Sequence, residues 1–343
     1  MSIFSSRGPV FRLTTLFVPV LVFAAACGGG TKSDNTSSSG SDLAINKVVA
    51  PEATTIADVI ALERPVVIAH AGGDFDWPHS TMYAFTQAAL NGADVLEMDV
   101  MLSSDGVLMV QHDNTVDRLT NSTGLFSSYT AAELQAMDNA YWFSGGVWSD
   151  KSLPEDAYVY RGIRTGAVAP LKGFTADDFG IPTFEQVARA FPDFVLDVEI
   201  KIPESESGEP LLDSAFAAAK ELARLITELD RADSVIVVSF NDDVLAEFRS
   251  LIPDVATSPG QTSLLNWYLE GAALDPRDLV IQAPPFYGDV EVLNKETIDR
   301  AHADGYEVWV WMTEASQETT EYFNELLSRG ADGLLVAAVT AIP

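Results

Sequence analysis

Cysteine is almost absent: Cys27 is the only one in 343 residues. A lone thiol closes no internal disulfide, so the fold must depend on its core. Basic residues are also scarce, with 20 Lys and Arg against 50 Asp and Glu and a formal net charge of −30. That balance speaks against a nucleic-acid partner, because phosphate backbones recruit clustered Lys and Arg. It also speaks against charge-driven adhesion to an anionic membrane. A calcium-rich exterior would suit it, since carboxylates are hard oxygen ligands. No G-x-G-x-x-G turn follows the first apolar run, which weakens a dinucleotide fold. Nothing in the composition identifies a protein partner.

What is present starts with a leader. Arg7 and Arg12 precede the apolar run "LTTLFVPVLVFAAA", which ends in small residues directly before Cys27. This pattern reads as a signal peptide over 1–26, and "FAAAC" resembles a bacterial lipobox. "GGGTKSDNTSSSGSD" follows as a flexible tether, assigned to 27–55. The expectation is a domain over 56–343, extracytoplasmic and lipid-anchored to the bacterial cell membrane through Cys27.

Apolar residues make up 47% of the chain, enough for a sizeable core in one barrel-sized domain or two ordinary ones. From Val66 onward, short Val/Ile/Leu runs alternate with helical patterns. The runs are "VVIAH", "VLEMDV", "VLMVQHD", "FVLDVEIK", "SVIVVSF", "LVIQAPPF", "EVWVWMT" and "GLLVAA". Apolar strands separated by helices predict a parallel sheet covered on both faces. About eight such units predict an α/β fold of the (β/α)8 TIM-barrel type, with a doubly wound open sheet as the alternative. In "STMYAFTQAALNGAD", Ser80 is the expected N-cap and Gly92 the stop. Residues 114–180 break the rhythm and read as an insertion after the hairpin-linked second and third strands, packed over one end.

"VLEMDVMLSSDGVLMVQHD" carries charges among its apolar residues. Asp105-Gly106 predicts a two-residue hairpin turn. That register pairs Ser104 with Val107 and sets His112 opposite Asp99. Glu97 and Asp99 share one face of their strand. Two carboxylates about 4 Å apart repel by about 4 kcal/mol at an effective dielectric near 20, so they must share a proton or bind a cation. The other reading is an exposed arm with a surface acid pair. "FVLDVEIK" likewise puts Asp197, Glu199 and Lys201 on one face, and "VVIAHAGG" ends its strand at His70. Barrel strands converge at their C-terminal ends. His70, Glu97, Asp99, His112, Glu199 and Lys201 would then meet as a metal-assisted acid/base site that accepts an anion.

The ordered set "HAGG", "HST", "GADVLEMDV", "SSDG", "QHD", "DRLTNSTG", "IPTF", "VEIK", "VVSF", "VWVWMT" and "GADGLLV" resembles the glycerophosphodiester phosphodiesterase family. The resemblance spans about Val66 to Val336. It implies a (β/α)8 barrel with a divalent metal, Ca2+ or Mg2+, held by Glu97, Asp99 and Glu199. It implies His70 and His112 as the acid/base pair, Lys201 as a phosphate ligand and Trp311 as an aromatic wall. The substrate it implies is a small glycerophosphodiester, hydrolysed to sn-glycerol 3-phosphate and an alcohol. Two positions depart from the family pattern. Ala71 replaces the arginine of H-R-G, and His79 replaces the glutamate of E-N-T. His79 is expected to cap the helix start, with ligation of a softer ion as the other reading. Arg161 and Arg164 of "YRGIRTG" are candidate replacement phosphate donors. The alternatives are a lysophospholipase D or sphingomyelinase D-like activity on the same residues, an inactive barrel, or a ligand-binding lipoprotein.

Overall fold

The computed structural model describes residues 43–343. The expected leader, Cys27 and most of the expected tether lie outside the described residues. Eight parallel strands form the barrel. They are β1 (Val66–Ala69), β2 (Val95–Leu102), β4 (Val195–Ile200), β5 (Val235–Val238), β6 (Ala256–Thr257), β7 (Val280–Ala283), β10 (Glu307–Trp311) and β11 (Gly333–Val336). Their order is β6-β5-β4-β2-β1-β11-β10-β7. The first and last staves pair from Val66↔Gly333 to Ala69↔Val336, which rules out the open doubly wound sheet. The remaining gap, between β6 and β7, is bridged at Thr257↔Asp278 alone.

Two strand expectations need correction. The run 107–113 is no stave: its strand β3 (Leu108–Val110) runs antiparallel to β2 and lies off the barrel path. The stave it displaced from the expected eight is β6, two residues within "DVATSP", too short to give an apolar run. The hairpin register also shifts by one. Ser103 pairs with Val107 through its N–H (2.9 Å), and Gly106 at φ +81° closes a three-residue loop. Gln111, not His112, therefore donates its N–H to Asp99 O (2.8 Å).

Apolar residues fill the lower barrel. Val66, Ile68, Val95, Val195, Ile236, Val280, Trp309 and Leu335 point inward. Ala53 and helix α1 (Ile56–Ile60) close this floor through Ile56 and Val59, each of the three at most 4% exposed. Ala53, in the described end of the expected tether, is thus packed on the barrel floor.

Helices surround the staves: α2 (Met82–Leu90), α4 (Phe184–Ala190), α5 (Leu212–Glu228), α6 (Asp242–Leu251), α7 (Gln261–Glu270), α8 (Lys295–Asp304) and α9 (Thr320–Arg329). Thr81, not Ser80, caps α2, accepting from the Ala84 N–H (3.1 Å). Ser80 instead sits at φ +52°. Gly92 follows the helix at φ +92°, as its place in the sequence requires. Between Asn114 and Gly180 the chain is mostly irregular, with one short α-helix, α3 (Ala131–Ala136), and three single 3-10 turns. Phe126, Leu134 and Met137 anchor it on Met101 and Met109 of the hairpin.

Candidate active site

Strand pairing builds the site in layers. In the β2–β4 register Val95 lies beside Val195, Glu97 beside Asp197, and Asp99 beside Glu199. The valines join the apolar floor, so the next inward residues, two and four positions on, must face in as well. Four carboxylates therefore form a quartet above the floor, with Lys201 over it. The Lys201 ammonium stands 3.0 Å from Glu199 Oε1 and 3.5 Å from Asp99 Oδ1. Glu97 Oε2 accepts the Ala71 N–H (2.6 Å), and Asp197 Oδ1 accepts from Gln282 Nε2 (3.1 Å).

One ammonium does not balance four acids, three of them buried and Glu199 half-buried. Burial above all, then Asp99, pushes the Glu97 carboxyl well up. Burial pushes Asp197 up to about 7 and also raises Glu199. Asp99 goes the other way: burial opposes its charge, but Lys201 and the histidines hold its carboxyl down. Asp99 Oδ2 and Asp197 Oδ2 are buried without a hydrogen-bond partner. Among the described residues no three His, Cys, Asp or Glu side chains are already closed around one ion position. The donor set nonetheless fits a hard divalent cation: oxygen ligands, excess negative charge and unpartnered buried oxygens.

Three imidazoles line the rim. His79 lies between His70 (ring centroids 6.4 Å apart) and His112 (6.1 Å). His70 Nδ1 donates to Asp74 Oδ1 (3.0 Å). Burial works against a charged His70 ring, but Asp74 and Glu97 overcome it and push the ring up to about 10. His112 Nδ1 donates to Asp113 Oδ1 (2.7 Å), and Arg118 clamps the same carboxylate through Nε (2.5 Å) and Nη2 (3.0 Å). His79 is driven the opposite way, to about 3, by burial and then Arg118. The ring is neutral, 4% exposed, and its Nδ1 has no partner. It does not cap α2, contrary to expectation, because Thr81 holds that position.

Gly72 and Gly73 after His70 take φ +83° and +86°. A Cβ on Gly72 would meet Ala84 Cβ at 2.9 Å, so this turn demands glycine.

The cavity above these groups measures about 880 Å³. Every expected site residue among the described ones lines it except Arg161 and Arg164. Arg161 is packed over Tyr141, Trp142 and Tyr158 at 4.3, 4.5 and 4.0 Å and paired with Glu155. Arg164 donates to Gln135 O (2.7 Å) and pairs with Asp177 (3.0 Å). Both guanidinium groups bond within the irregular segment and neither lines the cavity. The arginine that does reach the cavity is Arg118.

A profile of the glycerophosphoryl diester phosphodiesterase family matches residues 70–340. The chain belongs to this family. A glycerophosphodiester phosphodiesterase of Bacillus subtilis is 24% identical over 255 residues, covering 74% of this chain and 78% of its own. One from Caldanaerobacter subterraneus is 25% identical over 279 residues, covering 79% and 93%. Among solved structures, the phosphodiesterase domain of an uncharacterised Mycobacterium tuberculosis protein superposes with a TM-score of 0.59 at 21% identity, covering 81% of this chain and 98% of its own. An Oleispira antarctica phosphodiesterase, solved with the product sn-glycerol 3-phosphate, gives 0.55 at 20% identity, covering 81% and 95%. Family membership gives the ordered motifs a common origin, and the geometry adds four groups to which the sequence alone assigned no role: Asp74, Asp113, Arg118 and Asp197. Asp113 and Arg118 stand in "QHD" and "DRLTNSTG", so the signal was there; their direction was not.

One carboxylate near the site yields a pH prediction. Glu318 accepts the N–H groups of Ala337 and Ala338 after β11, at 3.0 to 3.1 Å. Burial outweighs these bonds and pushes its carboxyl from 4.5 up to about 7. A raised acid binds more protons folded than unfolded, so its contribution falls as pH rises from 4.5 to 7 and is level above. Glu318→Gln is expected to remove that slope. Urea unfolding of both proteins at a series of pH values measures it; parallel curves would refute it.

Proposed function

We propose that this family member hydrolyses glycerophosphodiesters to sn-glycerol 3-phosphate and an alcohol. The observation that carries the reading is one constellation: His70 and His112 on either side of His79, beside an inward carboxylate quartet topped by Lys201. The product bound to the Oleispira antarctica relative supports the same substrate class.

Glu97, Asp99 and Glu199 would hold a divalent ion, Ca2+ or Mg2+, which when bound neutralises phosphoryl charge and orients the glycerol end. Lys201 adds positive charge where negative charge develops on the phosphoryl oxygens. His112, tied at Nδ1 to Asp113, leaves Nε2 to take a proton from the attacking water or glycerol hydroxyl. His70, kept as imidazolium by Asp74, gives a proton to the leaving alkoxide. Trp311 walls the substrate side, its ring 6.2 Å from Phe240.

Turnover of a panel of glycerophosphodiesters under different divalent ions tests this. Chelation is expected to lower the rate by about two orders of magnitude or more, the several kcal/mol such an ion supplies, and added Ca2+ or Mg2+ should restore it. Absence of phosphate-ester product under every ion would reject the activity. A second part of the reading is the lipid anchor on Cys27, supported by the lipobox pattern; mass spectrometry finding no acyl group on Cys27 would remove it.

A further inference from the structure

Each acid at the head of the cavity already has a partner. Asp74 holds His70, and Asp113 holds His112 and Arg118. Asp99 and Glu199 face Lys201, Glu97 takes the Ala71 N–H, and Asp197 takes Gln282. The opposite wall comes from α7 and a small hairpin, β8 (Phe286–Tyr287) and β9 (Val290–Glu291). It is largely apolar, with Leu264, Leu265, Leu269 and Val290 lining it. Polar recognition therefore falls to the histidine end. There His79 stands apart: its ring lines the cavity and hydrogen-bonds to no described residue.

What His79 can bond depends on which nitrogen carries its proton. Nδ1 is the sealed one. His79 also lines a second cavity of about 10 Å³, together with Asp74, Arg118 and Asn139. That is the least space that holds one water, roughly 10–15 Å³. Asn139 comes from the irregular segment and is 1% exposed. Its Nδ2 donates to His79 O (2.9 Å), which leaves the buried, unpartnered Oδ1 as an acceptor. A water in this cavity gives its hydrogens to Asn139 Oδ1 and Asp74 and takes one from His79 Nδ1. Nε2 then carries the lone pair. The phosphoryl oxygens of a phosphodiester are acceptors and cannot bond a lone pair. Its alcohol hydroxyls are donors and can. His79 sits between the acid and the base that flank phosphorus, so the hydroxyl nearest phosphorus is the one in reach.

We infer that His79 Nε2 accepts the hydroxyl on the glycerol carbon next to the phosphate-bearing one, and that Asn139, acting through a buried water, is the positioning residue that fixes this tautomer. This rests on the phosphodiesterase reading and deepens it: a neutral ring, not a charge, selects substrates with a free hydroxyl beside the phosphate ester.

The test uses the full chain with Ca2+ or Mg2+. Nitrogen NMR of the labelled histidines should show His79 protonated at Nδ1 and bare at Nε2; the opposite tautomer would overturn the inference. Calorimetry then compares sn-glycerol 3-phosphate with its analogue lacking the middle hydroxyl. Binding should favour the former by about tenfold or more, the cost of leaving one buried acceptor unpaired. His79→Leu should shrink that preference to about twofold or less, and His79→Gln, which keeps an acceptor, should retain part of it. Equal binding of both ligands by the unaltered protein would give the lone pair to the attacking water and overturn the inference. So would equal losses on both ligands in His79→Leu, the mark of a structural role. Asn139→Leu should mix the two tautomers and lower the same preference, and Asn139→Ser, which keeps an acceptor, should restore part of both. Unchanged tautomer and preference in Asn139→Leu would remove Asn139 from the role. Choline release from glycerophosphocholine is followed in parallel. Its absence rejects the phosphodiesterase reading alone, because tautomer and binding are read without turnover.

Discussion

His112→Ala is expected to lower kcat by about two to four orders of magnitude, the usual worth of a positioned acid or base. The ring lies at the cavity wall with its side chain 41% exposed, so its loss opens no core cavity and should leave unfolding unchanged. On the proposed reading substrate charge would be met by Lys201 and the divalent ion that Glu97, Asp99 and Glu199 would hold, so KM should move little. A variant that lost turnover together with stability would mark His112 as structural. One that kept nearly full turnover would remove it from the chemistry. Asp113 holds the ring by Nδ1, and Arg118 holds Asp113 by two bonds. This chain of contacts leaves Nε2 as the nitrogen without a carboxylate partner.

Arg249→Met should cost roughly 3–5 kcal/mol of folding free energy, as breaking a buried ion pair does. Arg249 is 8% exposed and Asp278 2%. Arg249 donates to Asp278 and, at 3.0 and 2.8 Å, to Thr257 Oγ1, whose own hydroxyl donates to Asp278 (2.7 Å). Thr257 and Asp278 also form the lone bridge that closes the barrel between β6 and β7. The short stave β6 makes only two register pairs with β5, so side chains do here what a longer strand would do with backbone bonds. Adding Asp278→Asn should recover part of the loss, since the uncompensated charge goes with it. Urea denaturation of the three proteins measures this, and an equal loss in single and double variants would contradict it.

The alternation in "VLEMDV" and "VLDVEIK" makes the carboxylate face legible in the residues themselves, because a strand's side-chain period is fixed. Residue identity also marks Gly92 as a helix stop. Other features depend on contacts that a linear pattern does not contain. Asp-Gly suits both two- and three-residue hairpin loops, and the difference moves His112 from opposite Asp99 to one position beyond. β6 has no apolar run to announce it. Arg161 and Arg164 look like spare cations until Tyr141, Trp142, Tyr158, Glu155 and Asp177 are placed around them. His79 looks like a helix cap until Thr81 takes that place, leaving the ring between two other imidazoles. Local periodicity sets the staves; which side chains are already engaged elsewhere is settled only by packing.

Strand β10 carries Trp309 into the sealed floor, fully buried, and Trp311 two residues on into the cavity wall. Neighbouring indoles on a single stave thus sit in unlike media, one dry and one reachable by solute. Their emission should separate by wavelength and by quencher access, giving the protein an internal optical gauge: the inner indole reports integrity of the barrel, the outer one occupancy of the cleft.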